Sequence, residues 1–366
     1  MTAPSHERVR AAIIVIIVAL GLGLGGYMAA IRRAGPVARP PTAPQSRPSP
    51  SSYGSITAQQ CLDRPGVTVL SGDYTSQYKV ASPPDDHTYD ARRATSTAYP
   101  GNTLYPLSFG KARPAHHDCF LGGKVVGQQS RSLTWRAVKK GYDGAALQMG
   151  GNDWYVIDGL RAENVEDGLR PRGTEGRYPK DGDGFTLRNA YFTHIRDDCI
   201  SNTDIAGGVV EDSLFDGCYT GFSELGGNGD PQRRFPAPPG ETLTLGGVLL
   251  RLEAMPGTYR DDNPHTLGHG TLFKWSNVAN QLVVRDSVFL VETTPASGRA
   301  DFPPGTVAHN VTVAWLGPGP FPGNVPAGVT VTTDRSVWDT ARARWLARHG
   351  CSSFDDCTKL LEPDPH

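Results

Sequence analysis

The residues of this 366-residue chain best suited to chemistry are the adjacent carboxylates of Arg196-Asp197-Asp198-Cys199-Ile200. Cleavage of a bond between sugars uses a proton donor of raised pKa and a second carboxylate, about 5 Å away for retention or about 6.5 to 9.5 Å for inversion. Asp167 and Glu224 join Asp197 and Asp198 as candidates, each expected one structural repeat away. Like charges crowded in that way can keep one acid protonated near neutral pH. Around them Arg170, Arg172, His194, Arg196, Asp204, Tyr219 and His269, together with Glu166, form a candidate substrate surface. Arginines and carboxylates bind sugar hydroxyls in pairs, and aromatic faces stack on sugar rings. A plainer use of the same residues is structural, since Asp at a chain corner accepts backbone hydrogen bonds and Asp167-Gly168 reads as a turn.

Two further chemistries compete with hydrolysis. In an elimination reaction a cation neutralises a uronate carboxylate while Arg170 or Arg172 abstracts a proton. Lys180-Asp181-Gly182-Asp183-Gly184 offers oxygen ligands at alternate positions, so Asp181 and Asp183 are weak Ca²⁺ candidates, although a plain turn has the same composition and no bidentate Glu follows. His194, His265 and His269 make no recognisable metal set, and no other cofactor is expected. The third reading is a cell-envelope protein that holds a glycan without cutting it.

These groups must be positioned by a repeating scaffold. Val156-Ile157-Asp158-Gly159-Leu160, Leu187-Arg188-Asn189-Ala190-Tyr191-Phe192, Val209-Val210-Glu211-Asp212-Ser213-Leu214-Phe215 and Val283-Val284-Arg285-Asp286-Ser287-Val288-Phe289 vary one phrase. Each copy is rich in β-branched residues and lacks helical periodicity, which points to a stacked repeat whose unit is one turn of β-helix. Second apolar patches at Val165 and Leu169, Ile195 and Ile200, and Cys218 and Phe222 complete each coil by turning a second buried segment toward the same axis. Further coils are expected at Val67–Leu70, Lys124–Val126, Ala145–Gln148, 248–252 and 307–313. Three polar insertions, 171–184, 226–240 and 256–270, are expected to leave the stack on one side and wall a groove that is long rather than deep.

At Asp197-Asp198 the chain resembles the pectin-lyase-like right-handed parallel β-helix superfamily, and within it the polygalacturonase-type glycoside hydrolases. Those sites carry Asn-Thr-Asp, Asp-Asp and Gly-His-Gly elements, and this chain has Asn202-Thr203-Asp204, Asp197-Asp198 and Gly268-His269-Gly270. The resemblance covers most of 125–313 and implies a right-handed winding and a carbohydrate substrate. In the family the Asn-Thr-Asp element precedes the Asp-Asp pair by a coil, whereas here it follows at once. About three coils separate Asp198 from His269, roughly 14 Å at the strand spacing, so register alone does not bring the strings together.

Outside the body, residues 11–31 carry no charge and are long enough as a helix to span a bilayer, so an uncleaved anchor is expected after a short tail, 1–10. The arginines on its two sides would by themselves leave the body inside, but the linker and cysteines that follow override that balance, so a single-pass anchor with the body outside the cytoplasm is expected. Residues 32–55 include Pro36, Pro40, Pro41, Pro44, Pro48 and Pro50, an extended spacer. Six cysteines without Cys-x-x-Cys spacing favour disulfides in an extracytoplasmic compartment. Repeat alignment suggests Cys199 with Cys218, proximity suggests Cys351 with Cys357, and elimination leaves Cys61 with Cys119. The β-helix domain is placed at 56–333, followed by a helix over 334–349, within a segment 334–366, that caps the open end of the stack. A net charge of −1 gives no footprint for nucleic acid, and the expected partners are a polysaccharide or envelope glycan and the membrane.

Overall fold

The structure, a computed structural model, describes residues 55–101, 103–110, 116–150, 154–172, 184–225, 241–277 and 279–359. Its body is one sheet of 21 strands wound around an axis, with parallel pairing between successive coils. The chain thus makes a parallel β-helix with three faces. On the first, Ile157, Leu187, Val210, Leu245 and Val284 lie in register one above the other. On the second the ladder is Phe192, Phe215, Leu250, Phe289 and Val313. On the third it is Leu147, Leu169, Ile200, Phe222 and Phe273. All of these side chains are buried and together form the core. Stacked rings, Phe192 on Phe215 at 5.0 Å and Phe222 on Phe273 at 6.0 Å, give the ladders contact energy beyond simple burial.

The repeated phrase is the corner between the first and second faces. Gly159, Asn189, Asp212, Gly247, Asp286 and Asn310 occupy it in successive coils, all with positive φ, between 41° and 87°. Glycine, Asn and Asp are the residues that tolerate this conformation, which explains their alternation in the phrase. The serine that follows binds coil to coil: the Ser213 hydroxyl accepts from the Ala190 amide at 3.2 Å and that of Ser287 from the Val248 amide at 3.1 Å. The corner between the second and third faces repeats the device with Asn164, His194 and Gly217.

Among the described residues four helices accompany the coil: α1 (Ala58–Leu62), α2 (Trp135–Gly141), α3 (Ser336–Arg348) and α4 (Phe354–Lys359). The expected C-terminal helix exists, but it does not close the end of the stack. Trp338, Trp345 and Leu346 of α3 pack on Tyr191, Leu214, Leu249, Leu290 and Ala314, the outward side chains of successive coils on the second face. It lies along the flank because those alternate positions are themselves apolar, and the Trp345 indole donates to the Asp212 carbonyl at 3.1 Å. Asp334 stands before the helix, accepting from the Ser336 amide at 2.9 Å.

The disulfides are Cys61–Cys119, Cys199–Cys218 and Cys351–Cys357, as expected. Of the three insertions, 173–183 and 226–240 lie outside the described residues; the strands that precede them, Asp167–Arg172 and Leu214–Glu224, end on the third face, whereas 256–270 follows the second-face strand Leu249–Leu252. Asp181 and Asp183, the anchor over 11–31 and almost all of the 32–55 spacer lie outside the described residues. Among the described residues no helix is long and apolar enough to cross a membrane.

Candidate active site

The site is assembled at the second corner of the coil. Three consecutive coils turn it with short connections, at 164–166, 194–197 and 217–219, and leave a notch. Long connections flank the notch: 128–144, which contains α2, precedes it, and 253–272 and 292–306 follow it. The resulting cleft has a volume of about 400 Å³ and is lined by Trp135, Tyr219 and Tyr259 on its aromatic side, with Asp197, Thr220, Thr271, Lys274 and Ser297 completing it. A Cβ on Gly270, which also lines the cleft, would stand 2.2 Å from the Thr220 hydroxyl, so glycine is what lets that wall approach the coil so closely.

Asp197 lies at the base of the notch and Asp198 sits next to it against Lys274; both are almost fully buried. The Trp135 indole donates to Asp197 Oδ1 at 3.1 Å, and the Lys139 ammonium lies 3.1 Å from Oδ2. Burial opposes ionisation of Asp197, but Lys274, Lys139 and the indole outweigh it, and its carboxyl is held below the usual range. Asp198 faces the opposite balance. Burial, with the charge of Asp197 next to it, pushes it up to about 7 even though Lys274 Nζ lies 3.3 Å away. Environment therefore drives two adjacent carboxyls apart, one ionised and one exchanging its proton near neutrality.

Asp167 and Glu166 join them from the coil below. Asp167 Oδ1 accepts from the Asp198 amide at 3.1 Å, and oxygens of Glu166, Asp167 and Asp197 lie within 4.8 Å of one another. That acidic group is already occupied by the chain's own cations. Lys139 binds Glu166 and Asp197, and Arg170 binds Asp167 and lies 3.4 Å from Glu166. The residues therefore do not form a vacant cation cage. Glu166 is raised well above the usual carboxylate range by burial and by Asp167 and Asp197, so its proton offsets part of the crowding. Gly168 is not in a turn. It lies inside the strand Asp167–Arg172, where a Cβ would collide with the Phe192 ring and the Cys199 carbonyl.

The other expected residues divide. Tyr219 belongs to the cleft: its ring stacks on Trp135 at 5.8 Å and its hydroxyl accepts from the Tyr259 amide at 3.2 Å. Arg170 adjoins the site but is engaged by Asp167, Glu166, Asp143 and Tyr105. Arg196 points away, donating to the carbonyls of Arg131 and Leu133, and so pins the segment that delivers α2. His194 faces Glu253 at 3.3 Å on the outer side of the corner. Glu224 is four residues along its strand from Thr220, the partner of Asp198, and thus about 13 Å off. It is a buried acid raised to about 8 by burial, accepting from Asn202 and Asn280 at the third corner. Asp204 lies in the turn beyond Asn202, also away from the notch. His269 is buried in the wall with Nδ1 3.0 Å from the Gly270 carbonyl, while its neighbours Gly270 and Thr271 line the cleft. Arg172 ends its strand on the third face.

Asp198 lies opposite Thr220, and Gly221 donates to the Thr271 carbonyl, so the Asp198 and His269 segments are two coil steps apart rather than three. Even so the Asn-Thr-Asp, Asp-Asp and Gly-His-Gly strings serve the third corner, the notch and the wall respectively. Trp135, Lys139, Tyr259 and Lys274 complete the site although no motif or repeat in the chain marks them. For Lys274 the signal was alternation, since it points outward between Phe273 and Trp275. For Trp135 and Lys139 it was Thr134, which accepts from the Ala137 amide and caps α2. Comparison with family models, with curated proteins and with solved structures finds no match for this chain.

Proposed function

We propose that this chain is a carbohydrate-active β-helix protein that binds a glycan in the notch and hydrolyses it. The observation that carries the reading is a pair of adjacent buried carboxyls, Asp197 lining an aromatic-walled cleft and held ionised, Asp198 beside it against the cleft residue Lys274 and raised to about 7. A sugar ring stacks against Trp135, Tyr219 and Tyr259, and its hydroxyls meet Thr220, Thr271 and Ser297. Asp198 gives its proton to the glycosidic oxygen as the bond breaks, Asp197, ionised, faces the positive charge that develops on the sugar, and a water then bonds to the anomeric carbon while its released proton restores Asp198. Elimination is less well supported, because Arg170, the expected base, is held charged by Asp167 and Glu166, and the acids around Lys139 and Lys274 likewise keep both lysines protonated despite burial.

Binding without cleavage is the second reading, favoured by one observation: Lys139 and Lys274 already pair with Asp197 and Asp198. Export and membrane anchoring belong to the same proposal and draw on the three disulfides and the apolar run over 11–31. Right-handed winding and kinship with the pectin-lyase-like proteins belong to it too, since parallel crossovers are nearly always right-handed. The test is incubation with a panel of neutral and acidic polysaccharides, read for new reducing ends and for ultraviolet-absorbing unsaturated ends. Hydrolysis predicts reducing ends alone, abolished in Asp198→Asn. Binding that survives Asp197→Asn and Asp198→Asn, with no product from any variant, would leave the non-catalytic reading.

A further inference from the structure

The shape of the notch defines which part of a glycan it can hold. We infer that the site takes a chain end or a short oligosaccharide and acts from that end, rather than gripping the middle of a polymer; this rests on the carbohydrate reading above.

A polymer gripped along its length needs a groove open at both ends, and a parallel β-helix supplies one wherever successive coils turn the same corner briefly. Here three consecutive coils do so, giving a run of about 14 Å at the strand spacing, and the longer connections 99–106 and 128–144 separate it from the short corner of the first coil at 75–77. The run is blocked below by α2. Trp135 and Lys139 bend over the corner onto Asp197, and Lys139 reaches Glu166 in the coil beneath. It is blocked above by the 253–272 connection and by the connection that carries Ser297, which are tied to each other where the Ala296 amide donates to the His269 carbonyl.

The lower and upper walls also meet. The Arg136 guanidinium donates to the Tyr259 carbonyl at 3.1 Å, the Trp135 and Tyr259 rings make an edge contact at 6.2 Å, and a Cβ on Gly257 would stand 2.8 Å from Thr134. Segments from opposite sides of the notch therefore bridge it, and Tyr219 fastens the bridge to the coil through the Tyr259 amide. A chain lying along the stack would have to pass through this bridge. A terminal unit entering from the open side does not, and a volume of about 400 Å³ suits a ligand of a few rings.

The experiment uses the full chain and oligosaccharide ladders of two to eight units, neutral (xylo-, cello- and β-1,3-gluco-) and acidic (oligogalacturonide), measuring affinity by calorimetry and early products by chromatography. On the ladder that binds, affinity is expected to level off at two or three units, changing less than about twofold beyond that, with one- or two-unit products from the first time point. The bridge variant Arg136→Ala with Tyr259→Gly is expected to release mid-length products, or, where nothing is cleaved, to let affinity keep rising with length. Mid-length products from the unaltered protein, or affinity climbing tenfold or more between three and eight units, would overturn the chain-end inference and leave the carbohydrate reading standing. Failure of every ladder to bind would overturn both.

Discussion

Replacing Lys274 with Met tests the electrostatics of the site without knowledge of the substrate. Methionine keeps the length and the apolar stem and removes only the charge. The ammonium lies 3.3 and 3.4 Å from the two Asp198 oxygens. At that distance a pair near a protein surface interacts by up to about 5 kcal/mol, a ceiling. The Lys274 side chain is 34 % exposed, so solvent screens the pair, and about 1 to 2 kcal/mol remains, or roughly one pKa unit. Loss of a cation favours the neutral acid, so Asp198 moves from about 7 to about 8. Asp197 rises as well, because Lys274 is the foremost of the groups that hold it down. The two titrate as a pair, so the observable is two steps that both move upward. Carbon-13 NMR of protein labelled at the Asp carboxyls, titrated from about pH 4 to 9, reads both steps, with Asp198→Asn assigning the upper one. The reasoning is refuted if the unaltered protein has no Asp titrating above about pH 6, or if the upper step stays or falls in Lys274→Met. Any hydrolytic activity should have an alkaline limb that shifts up by the same amount.

Three other outcomes follow from the same contacts. Asp198 and Asp118, each raised to about 7, and Glu224, raised to about 8, have folded-state pKa values above those of the unfolded chain, so folding takes up protons. Their contribution is fully present below about pH 4 and is lost as pH rises through 7 and 8, at up to about 1.4 kcal/mol per unit for each group. Melting by calorimetry should therefore give a midpoint at pH 5.5 at least about 5 °C above that at pH 8, and a flat or rising profile would contradict the burial argument. Arg196→Met leaves the carbonyls of Arg131 and Leu133 without their donor and should loosen α2, seen as faster hydrogen exchange over 131–141 and a stability loss of about 1 to 3 kcal/mol by urea unfolding. Removing the buried Cys199–Cys218 link, which closes a separation of 19 residues, with paired alanines should cost about 3 kcal/mol in the same assay. A change within error would mean that neighbouring strand pairing already restrains that loop.

Each turn of the coil is written in the chain's local pattern. An apolar pair, a corner residue that accepts positive φ, a serine and a buried aromatic are local requirements of each turn, so Val209–Phe215 and Val283–Phe289 carry them in plain text. Because register then follows from alignment, the pairing of Cys199 with Cys218 and the stacking of Asp167 beneath Asp198 were legible too. What surrounds the carboxyls is set by folding alone. Trp135, Tyr259 and Lys274 come from connections whose lengths obey no repeat, and side chains on such loops meet through packing that leaves no period in the sequence. The same cause displaced Glu224: it shares a strand with Tyr219, but a strand advances about 3.3 Å per residue, so neighbours in sequence reach different corners. Helix α3 lies on the flank because its two tryptophans pack against outward apolar side chains contributed by separate coils, Tyr191, Leu214, Leu249, Leu290 and Ala314, a surface that exists only once the coils are stacked.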